Sequence, residues 1–228
     1  MKKVTVIICA YNEANTIKDV ILSISDAIIV SEIIVVNDGS TDNTKLIIEE
    51  LKTKVDITDI HFKENRGKGY AMAIGVENAV FDIVLFIDAD LSNINSKHIT
   101  QLVNPLLTEE ADMVLGQATE TLINYNINPF KSLSGQRALN KNEIVPIFDK
   151  IQNSKFGVET LINLYYRAEG KTIKYIMLEG LKHHTKFEKM SKPQAIKEFV
   201  KEGHQIAQTT LNNFDLITQN LKNSIKNI

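Results

Sequence analysis

Short apolar runs alternate along the first half of this chain with segments whose apolar residues recur at three- and four-residue spacing. The first pattern is typical of buried strands and the second of amphipathic helices, and their alternation predicts strands joined by crossover helices. The predicted strands are KVTVIICA ending at Ala10, EIIVVND (32–38), ITDIHF (57–62), DIVLFIDAD (82–90) and ADMVLGQA (111–118). The sequence therefore predicts an α/β fold with a mostly parallel sheet flanked by helices.

The second half of the chain is less regular and predicts fewer elements. An Asn-rich stretch leads to a predicted helix, GVETLINLYYRAEG (157–170), and to a late strand, TIKYIML (172–178). Residues 180–192 are polar and mostly basic, which predicts a loop. Pro193 then predicts the first turn of one long helix.

Apolar residues recur at helical spacing along this C-terminal helix, which gives it one apolar stripe. We therefore divide the chain into a catalytic-type domain over residues 1–192 and an amphipathic helical extension over residues 193–228. The stripe has to be covered, and three partners stay open. They are the parent domain, a second copy in a homodimer, and the surface of a membrane.

The composition limits the partners and the location of the protein. A formal net charge of −2 gives no overall basic surface, so we expect no nucleic-acid partner. Cys9 is the only cysteine, which excludes an internal disulfide and suits a reducing compartment. No apolar stretch approaches the roughly 18 residues that a membrane span requires. We expect a cytoplasmic protein, with peripheral contact to the inner face of the membrane as the alternative.

Polar turns follow the first four predicted strands, at the edge where open parallel sheets bind their ligands. The first turn has no glycine and RGKGYA lacks the Walker spacing, so neither standard phosphate-binding loop is present. Asp88 and Asp90 end the fourth strand, and two carboxylates this close repel each other unless a cation lies beside them. Glu13 and Asp38 can accept hydrogen bonds from a ribose or a base, and Lys68 can contact phosphate.

Four segments, in this order and spacing, resemble the family 2 glycosyltransferases of the GT-A fold: VIICAYNEANTI, IIVVNDGSTDNT, NRGKGYAMAIG and FIDADL. The resemblance covers about residues 3–190 and implies a metal-dependent enzyme that uses a nucleoside diphosphate sugar. In that family the Asp-x-Asp motif binds Mg²⁺ or Mn²⁺, which carries the diphosphate of the donor. By position, Asp90 would hold the metal and Asp88 would face the sugar or ribose. Asp38 would meet the nucleobase and Glu13 the ribose.

The same motifs imply further positions on the donor side. Ala10, Tyr11, Lys68 and Ala89 are predicted to line the donor site. The chain departs from the family at Cys9, where relatives usually have proline. We expect this departure to change the rigidity of the turn more than its chemistry.

Two later segments resemble the acceptor side of the family. SGQRAL places Gly135, Gln136 and Arg137 there, and FGVET places Glu159 where relatives have an acidic residue near the acceptor. We predict that Glu159 is the general base and that Asp88 acts with it in catalysis.

The predicted basic loop contains a second set of candidates, in the segment GLKHHTKF. His183 matches a family histidine that coordinates the metal or contacts the diphosphate in some relatives. Lys182 and Lys186 would neutralise phosphate. The acceptor stays open between a lipid-linked phosphate, a small phosphorylated acid and a glycan.

Two other functions compete with sugar transfer. A haloacid-dehalogenase-like phosphatase also ends a strand in Asp-x-Asp, but that motif follows its first strand and needs a later acidic pair, whereas here the motif follows the fourth strand. A non-catalytic protein that binds nucleotide sugars would differ only by lacking turnover.

Overall fold

The structure, a computed structural model, describes residues 3–120, 134–184, 188 and 191–226. Its strands are β1 (Val4–Ala10), β2 (Val30–Asn37), β3 (Thr58–His61), β4 (Ile83–Asp88), β5 (Leu91–Ser92), β6 (Met113–Glu120), β7 (Arg137–Asn140) and β8 (Ile173–His183). They form one sheet in the order β3-β2-β1-β4-β7-β6-β8-β5. The strands β1 to β4 are parallel, β6 and β8 form a second parallel pair, and β7 and β5 run antiparallel to their neighbours. The predicted mostly parallel α/β sheet is confirmed.

Helices cover both faces of this sheet. They are α1 (Ile17–Ser25), α2 (Thr44–Leu51), α3 (Lys68–Asn78), α4 (Ser96–Leu107), α5 (Phe148–Asn153), α6 (Val158–Ala168), α7 (Lys192–Asn212) and α8 (Phe214–Lys226). Within the described residues, two 3₁₀ segments lie at Lys141–Ile147 and Lys155–Gly157. Side chains of α1, α2 and α4 form one core with the sheet, and side chains of α3, α5, α6 and α8 form the other. None of the described helices is both long enough and apolar enough to cross a lipid bilayer.

The strand β1 lies between β2 and β4 and separates the two cores. Val6 and Ile8 point into one core and Ile7 into the other, and all three are fully buried. A strand that is covered on both faces needs apolar residues at successive positions, which explains the unbroken run in the sequence. Because each fully buried Val or Ile contributes roughly 1.5–3 kcal/mol, this run holds the carboxyl end of β1 firmly in place.

The predicted loop over residues 180–192 is wrong in its first part. The strand β8 continues to His183 because its last residues pair with β5, with Leu91 opposite His183 and Ser92 opposite Lys182. A two-residue strand such as β5 has no periodicity of its own, so no pattern in the sequence indicates a partner for these residues.

The prediction of one long C-terminal helix is also wrong, because α7 and α8 are separate. The backbone of Asn213 leaves the helical region between them, at φ −122° and ψ 37°. The side chain of Asn213 is buried, donates to the carbonyl of Thr209 and accepts from Nζ of Lys150 at 3.0 Å. These contacts hold the break against α5.

Both C-terminal helices pack on elements that cover one face of the sheet: α7 lies against the 3₁₀ segment Lys155–Gly157 and α6, and α8 lies against α6. Ala195 and Thr209 of α7 are buried, and Thr209 lies so close to Gly157 that a Cβ atom at position 157 would overlap its hydroxyl. Leu216 of α8 is part of the core beneath α6. These contacts join α7 and α8 closely to the rest of the chain. The division of the chain into two parts at residue 193 stays a prediction.

Candidate active site

The register of the central strands brings the predicted donor-side residues to one edge of the sheet. Cys9 of β1 pairs with Val36 on one side and with Asp88 on the other. Asp38 directly follows β2, and its backbone N–H donates to the carbonyl of Ala10 at 2.8 Å. Since neighbouring strands are about 4.8 Å apart, Asp38 and Asp88 flank the end of β1 in a single crevice.

Asp88, Asp90 and His183 form a cluster that could hold a metal ion. One ligand atom from each lies within 4.8 Å of the others. Nε2 of His183 is 3.2 Å from Oδ1 of Asp90 and 3.4 Å from Oδ2 of Asp88. The pairing of β5 with β8 produces this cluster, because it lays the end of β8 beside the Asp-x-Asp turn.

The cluster fits a hard divalent cation. Two carboxylates and one imidazole that has lost its proton are ligands that Mg²⁺ and Mn²⁺ accept, with other positions left for phosphate oxygens and water. Burial would lower the pKa of His183, but its hydrogen bond to Asp88 and the charge of Asp90 outweigh burial and raise the pKa to about 9. Burial would raise the pKa of Asp88, but Lys68 and His183 outweigh it and hold the pKa below its ordinary value.

Lys68 lies between the two predicted catalytic acids. Its Nζ is 2.7 Å from Oδ1 of Asp88 and 2.6 Å from Oε1 of Glu159. Lys68 begins α3 and Glu159 lies in the first turn of α6, so two helix starts meet at the end of β4. Burial would lower the pKa of Lys68, but both carboxylates outweigh it and raise the pKa well above its ordinary value. Lys68 therefore remains charged and links the cluster of Asp88, Asp90 and His183 to Glu159, the predicted general base.

Gln136 and Gly135, both predicted on the acceptor side, contact Asp88. Nε2 of Gln136 donates to Oδ2 of Asp88 at 2.7 Å, and Oε1 of Gln136 accepts from the Ser134 hydroxyl at 2.7 Å. A Cβ atom at position 135 would overlap both carboxylate oxygens of Asp88. Ser134 is the first residue of the segment SGQRAL but was not singled out from the sequence, because nothing in that segment indicates that its hydroxyl orients Gln136.

Arg137 lies beneath the acceptor-side loop and is completely buried. Its guanidinium donates to the carbonyl of Ser134 at 2.8 Å, and to the carbonyl of Glu159 and Oδ1 of Asn163, both at 3.4 Å. Burial lowers its pKa, and the charge of Glu159 opposes the shift. The Arg137 side chain is fully enclosed, and its assignment to the acceptor side stays a prediction. Arg137 joins the loop to α6 from below.

Asp38 organises the turn that leads into α3. Its two carboxylate oxygens accept from the backbone N–H groups of Arg66, at 2.7 Å, and Gly67, at 2.8 Å. Burial raises the pKa of Asp38, although both amides oppose the shift. The guanidinium of Arg66 stacks on the ring of Tyr70, with Cζ 3.5 Å from the ring centre. Asp38, which is predicted to contact the nucleobase, thus also holds the backbone turn that leads into α3.

The other predicted donor-side residues differ in exposure. Ala10 and Ala89 are buried, whereas the side chain of Tyr11 is exposed. Glu13 lies on the turn after β1, where its backbone N–H donates to the hydroxyl of Thr44 at 2.8 Å.

The basic segment near the cluster is only partly described. Nζ of Lys182 is 3.3 Å from Oε1 of Glu188. Lys186 lies outside the described residues.

Comparison with known families decides what kind of protein carries this crevice. A family model described as "Glycosyl transferase family 2" matches residues 5–168. The chain belongs to glycosyl transferase family 2. The match includes the turns after β1, β2, β3 and β4 and the first turn of α6, so the residues around Asp88 and Glu159 lie within it.

Curated relatives match less than half of the chain. The poly-β-1,6-N-acetyl-D-glucosamine synthase of Staphylococcus aureus strain MSSA476 is 36% identical over 94 residues, which is 40% of this chain and 22% of that protein. The synthase of Staphylococcus epidermidis is 38% identical over 88 residues, 38% of this chain and 21% of that protein. The matched part spans about a fifth of the length of these relatives.

Solved structures share the fold over nearly the whole chain. The glucosyl-3-phosphoglycerate synthase of Mycobacterium tuberculosis, in complex with Mn²⁺, UDP and glucosyl-3-phosphoglycerate, has a TM-score of 0.73 at 24% identity. That similarity covers 92% of this chain and 79% of the other. The same enzyme in complex with Mn²⁺, UDP-glucose and phosphoglyceric acid is 25% identical, with a TM-score of 0.72 and the same coverage. The family 2 fold of the chain is thus that of known UDP- and metal-binding proteins, and the phosphatase alternative has no support.

Proposed function

We propose that this chain transfers a sugar from a nucleoside diphosphate sugar to an acceptor, with Mg²⁺ or Mn²⁺ held by Asp90, His183 and Asp88. The observation that carries the proposal is the convergence of these three ligand atoms, within 4.8 Å of one another, at the end of β4 in a family 2 chain. Solved structures of similar fold contain Mn²⁺ with UDP-glucose and Mg²⁺ with UDP. These complexes support both the donor class and the choice of ion.

On the donor side, the crevice between β2 and β4 would hold the nucleotide. Asp38 and the turn that it orders would meet the nucleobase, and Glu13 would meet the ribose. Tyr11, with its exposed ring, would contact the nucleoside from the first turn. A bound divalent cation would stabilise the negative charge that develops on the diphosphate as the sugar departs.

On the acceptor side, Glu159 would act as the general base. Its carboxylate would take the proton from the acceptor hydroxyl while that oxygen attacks the anomeric carbon and the nucleoside diphosphate leaves. Lys68 donates to Oε1 of Glu159 and so fixes the direction of the carboxylate. Arg137 holds the backbone of the same residue from below. Both contacts reduce the freedom of the base before an acceptor arrives.

We also propose which classes of acceptor to test. A small phosphorylated acid is the first candidate to assay, because a structure of similar fold contains phosphoglyceric acid. A lipid-linked phosphate and a glycan are the other two. The single cysteine suits work in a reducing compartment, and we propose the cytoplasm on that ground.

The test is a release assay for nucleoside diphosphate, run with a panel of donors and acceptors with and without Mn²⁺. Metal-dependent release that needs an acceptor supports the transferase. Donor binding seen as a thermal shift, without release for any acceptor of the three classes, would instead establish a non-catalytic binding protein.

A further inference from the structure

The two adjacent histidines at the end of β8 contact different groups. Nε2 of His183 lies beside Asp88 and Asp90, whereas Nε2 of His184 lies 2.6 Å from Oγ of Ser92. Successive side chains of an extended chain point to opposite faces, so the two rings do not enter the cluster together. The fold therefore gives His184 a part different from that of its neighbour.

The orientation of the His183 ring is set by hydrogen bonds more than by packing, because 41% of the side chain is exposed. Nδ1 of His183 is 3.3 Å from the carbonyl oxygen of His184. A carbonyl oxygen can only accept, so Nδ1 carries a hydrogen and donates it. In the neutral ring the lone pair is then on Nε2, the atom that faces Asp88 and Asp90. The carbonyl of His184 thus selects the tautomer that can bind a cation.

The backbone of His184 also contacts Asp90. Its N–H donates to the carbonyl of Asp90 at 3.1 Å. This bond extends the antiparallel pairing of β5 and β8 by one step beyond the pair of Leu91 and His183. One residue therefore accepts from one member of the metal-binding cluster and donates to another. The position of its backbone decides how His183 and Asp90 lie relative to each other.

The ring of His184 anchors this backbone to β5. Its Nε2 forms the 2.6 Å hydrogen bond with the hydroxyl of Ser92. Nδ1 of the same ring is 3.6 Å from Oε2 of Glu188, which is too long for a hydrogen bond. Among the residues that the structure describes, Ser92 is therefore the hydrogen-bond partner that holds the ring.

We propose that His184 is a positioning residue for the metal site: Ser92 anchors its ring, and its backbone holds His183 and Asp90 in the arrangement that binds the cation. This inference rests on the proposed function, because it requires that the cluster of Asp88, Asp90 and His183 binds Mg²⁺ or Mn²⁺. Groups that orient a metal ligand contribute about 10- to 100-fold to metal affinity. His184 acts through its hydrogen bonds and does not contact the ion.

The experiment is calorimetric titration of the full chain with Mn²⁺ alone. His184→Ala removes the ring and Ser92→Ala removes its anchor, and each change should lower the affinity for Mn²⁺ about tenfold. The double variant should lose no more than either single variant, because both changes break the same hydrogen bond. His184→Gln should restore much of the affinity, because its amide can reach the Ser92 hydroxyl.

Two further measurements separate a positioning residue from a merely structural residue and from a ligand. His204→Ala makes the same change at an exposed position of α7 and should leave the affinity for Mn²⁺ unaltered. Circular dichroism verifies that every variant folds. Pulsed electron paramagnetic resonance detects an imidazole nitrogen bound to Mn²⁺. We expect this nitrogen signal to disappear in His183→Ala and to persist in His184→Ala.

Three outcomes would overturn the proposal, and they can be told apart. Unaltered Mn²⁺ affinity in His184→Ala, or additive losses in the double variant, would remove His184 from the support of the metal site and leave the site itself standing. A nitrogen signal that His184→Ala abolishes and His183→Ala retains would make His184 the ligand. A wild-type chain that binds no Mn²⁺ would overturn both this proposal and the proposed metal site.

Discussion

Gly135 lies against the carboxylate of Asp88 so closely that any side chain at position 135 would displace it. The same carboxylate accepts from Lys68 and Gln136 and lies beside His183. The absence of a side chain at position 135 therefore lets the acceptor-side loop approach Asp88. The cluster of Asp88, Asp90 and His183, the contact with Lys68 and the position of the loop all depend on this carboxylate.

Gly135→Ala should therefore reduce donor turnover by at least about 100-fold, because displacing a reacting group by about 1 Å has an effect of this size. The measurement is kcat for release of the nucleoside diphosphate. Gly203→Ala is the control, since that glycine has open space around it, and the change should raise helix stability slightly and leave kcat unaltered. Normal turnover by Gly135→Ala would show that the loop moves aside before the reaction.

Lys68→Met should lower the free energy of unfolding, because it leaves the carboxylates of Asp88 and Glu159 close together without a cation between them. Breaking a fully buried pair costs about 3–5 kcal/mol, and we expect about 2–3 kcal/mol here because the Lys68 side chain is 22% exposed. Urea unfolding measures the loss.

Lys97→Met, at an exposed position of α4, is the control for this change and should have no effect on unfolding. Adding Glu159→Gln to Lys68→Met should restore part of the stability, because one of the two repelling charges is gone. An additive double variant would contradict the proposed coupling.

Asp90→Asn should abolish Mn²⁺-dependent turnover and weaken Mn²⁺ binding while the fold stays intact. The amide loses the negative charge that faces His183 and provides a poorer ligand for a hard cation. Calorimetric titration with Mn²⁺ alone checks this directly, and Asp82→Asn at the opposite end of β4 is the control. Undiminished Mn²⁺ affinity would remove Asp90 from the metal site.

Asp38→Ala should weaken binding of UDP and UDP-glucose by the same factor, about 30-fold. The change removes the acceptor of two backbone N–H groups, at Arg66 and Gly67, each worth about 1 kcal/mol. Isothermal titration with both ligands measures the two affinities, and Asp56→Ala at an exposed position serves as control. Unequal losses for the two ligands would place Asp38 near the sugar instead of the nucleotide.

The sequence predicted the parts of the fold that rest on local periodicity. β1 and β4 were visible because they are buried on both faces, and α1 because four apolar residues recur on one side. β5 has two residues and β7 has four, so neither contains a pattern long enough to recognise. α4 contains Pro105, which interrupts the signal of an otherwise well-capped helix.

The candidate site was predictable as a set of residues but not as a set of contacts. Asp90 and His183 were assigned to a metal by resemblance and Asp88 to the sugar or ribose, and the structure brings ligand atoms of all three together. The bridge from Lys68 to Glu159 joins residues 91 positions apart, and it depends on how α3 and α6 meet. No motif contains that information, so Lys68 was predicted to contact phosphate and its role between two acids was missed.

His183 ends strand β8, which lies between β6 and β5, and its backbone pairing with β5 continues up to this residue, with Leu91 as the partner. The backbone of this ligand therefore loses its conformational freedom when the polypeptide folds, not when a cation arrives. Capture of the ion would then be governed by charge and by the release of coordinated water, and would require little rearrangement of the histidine backbone.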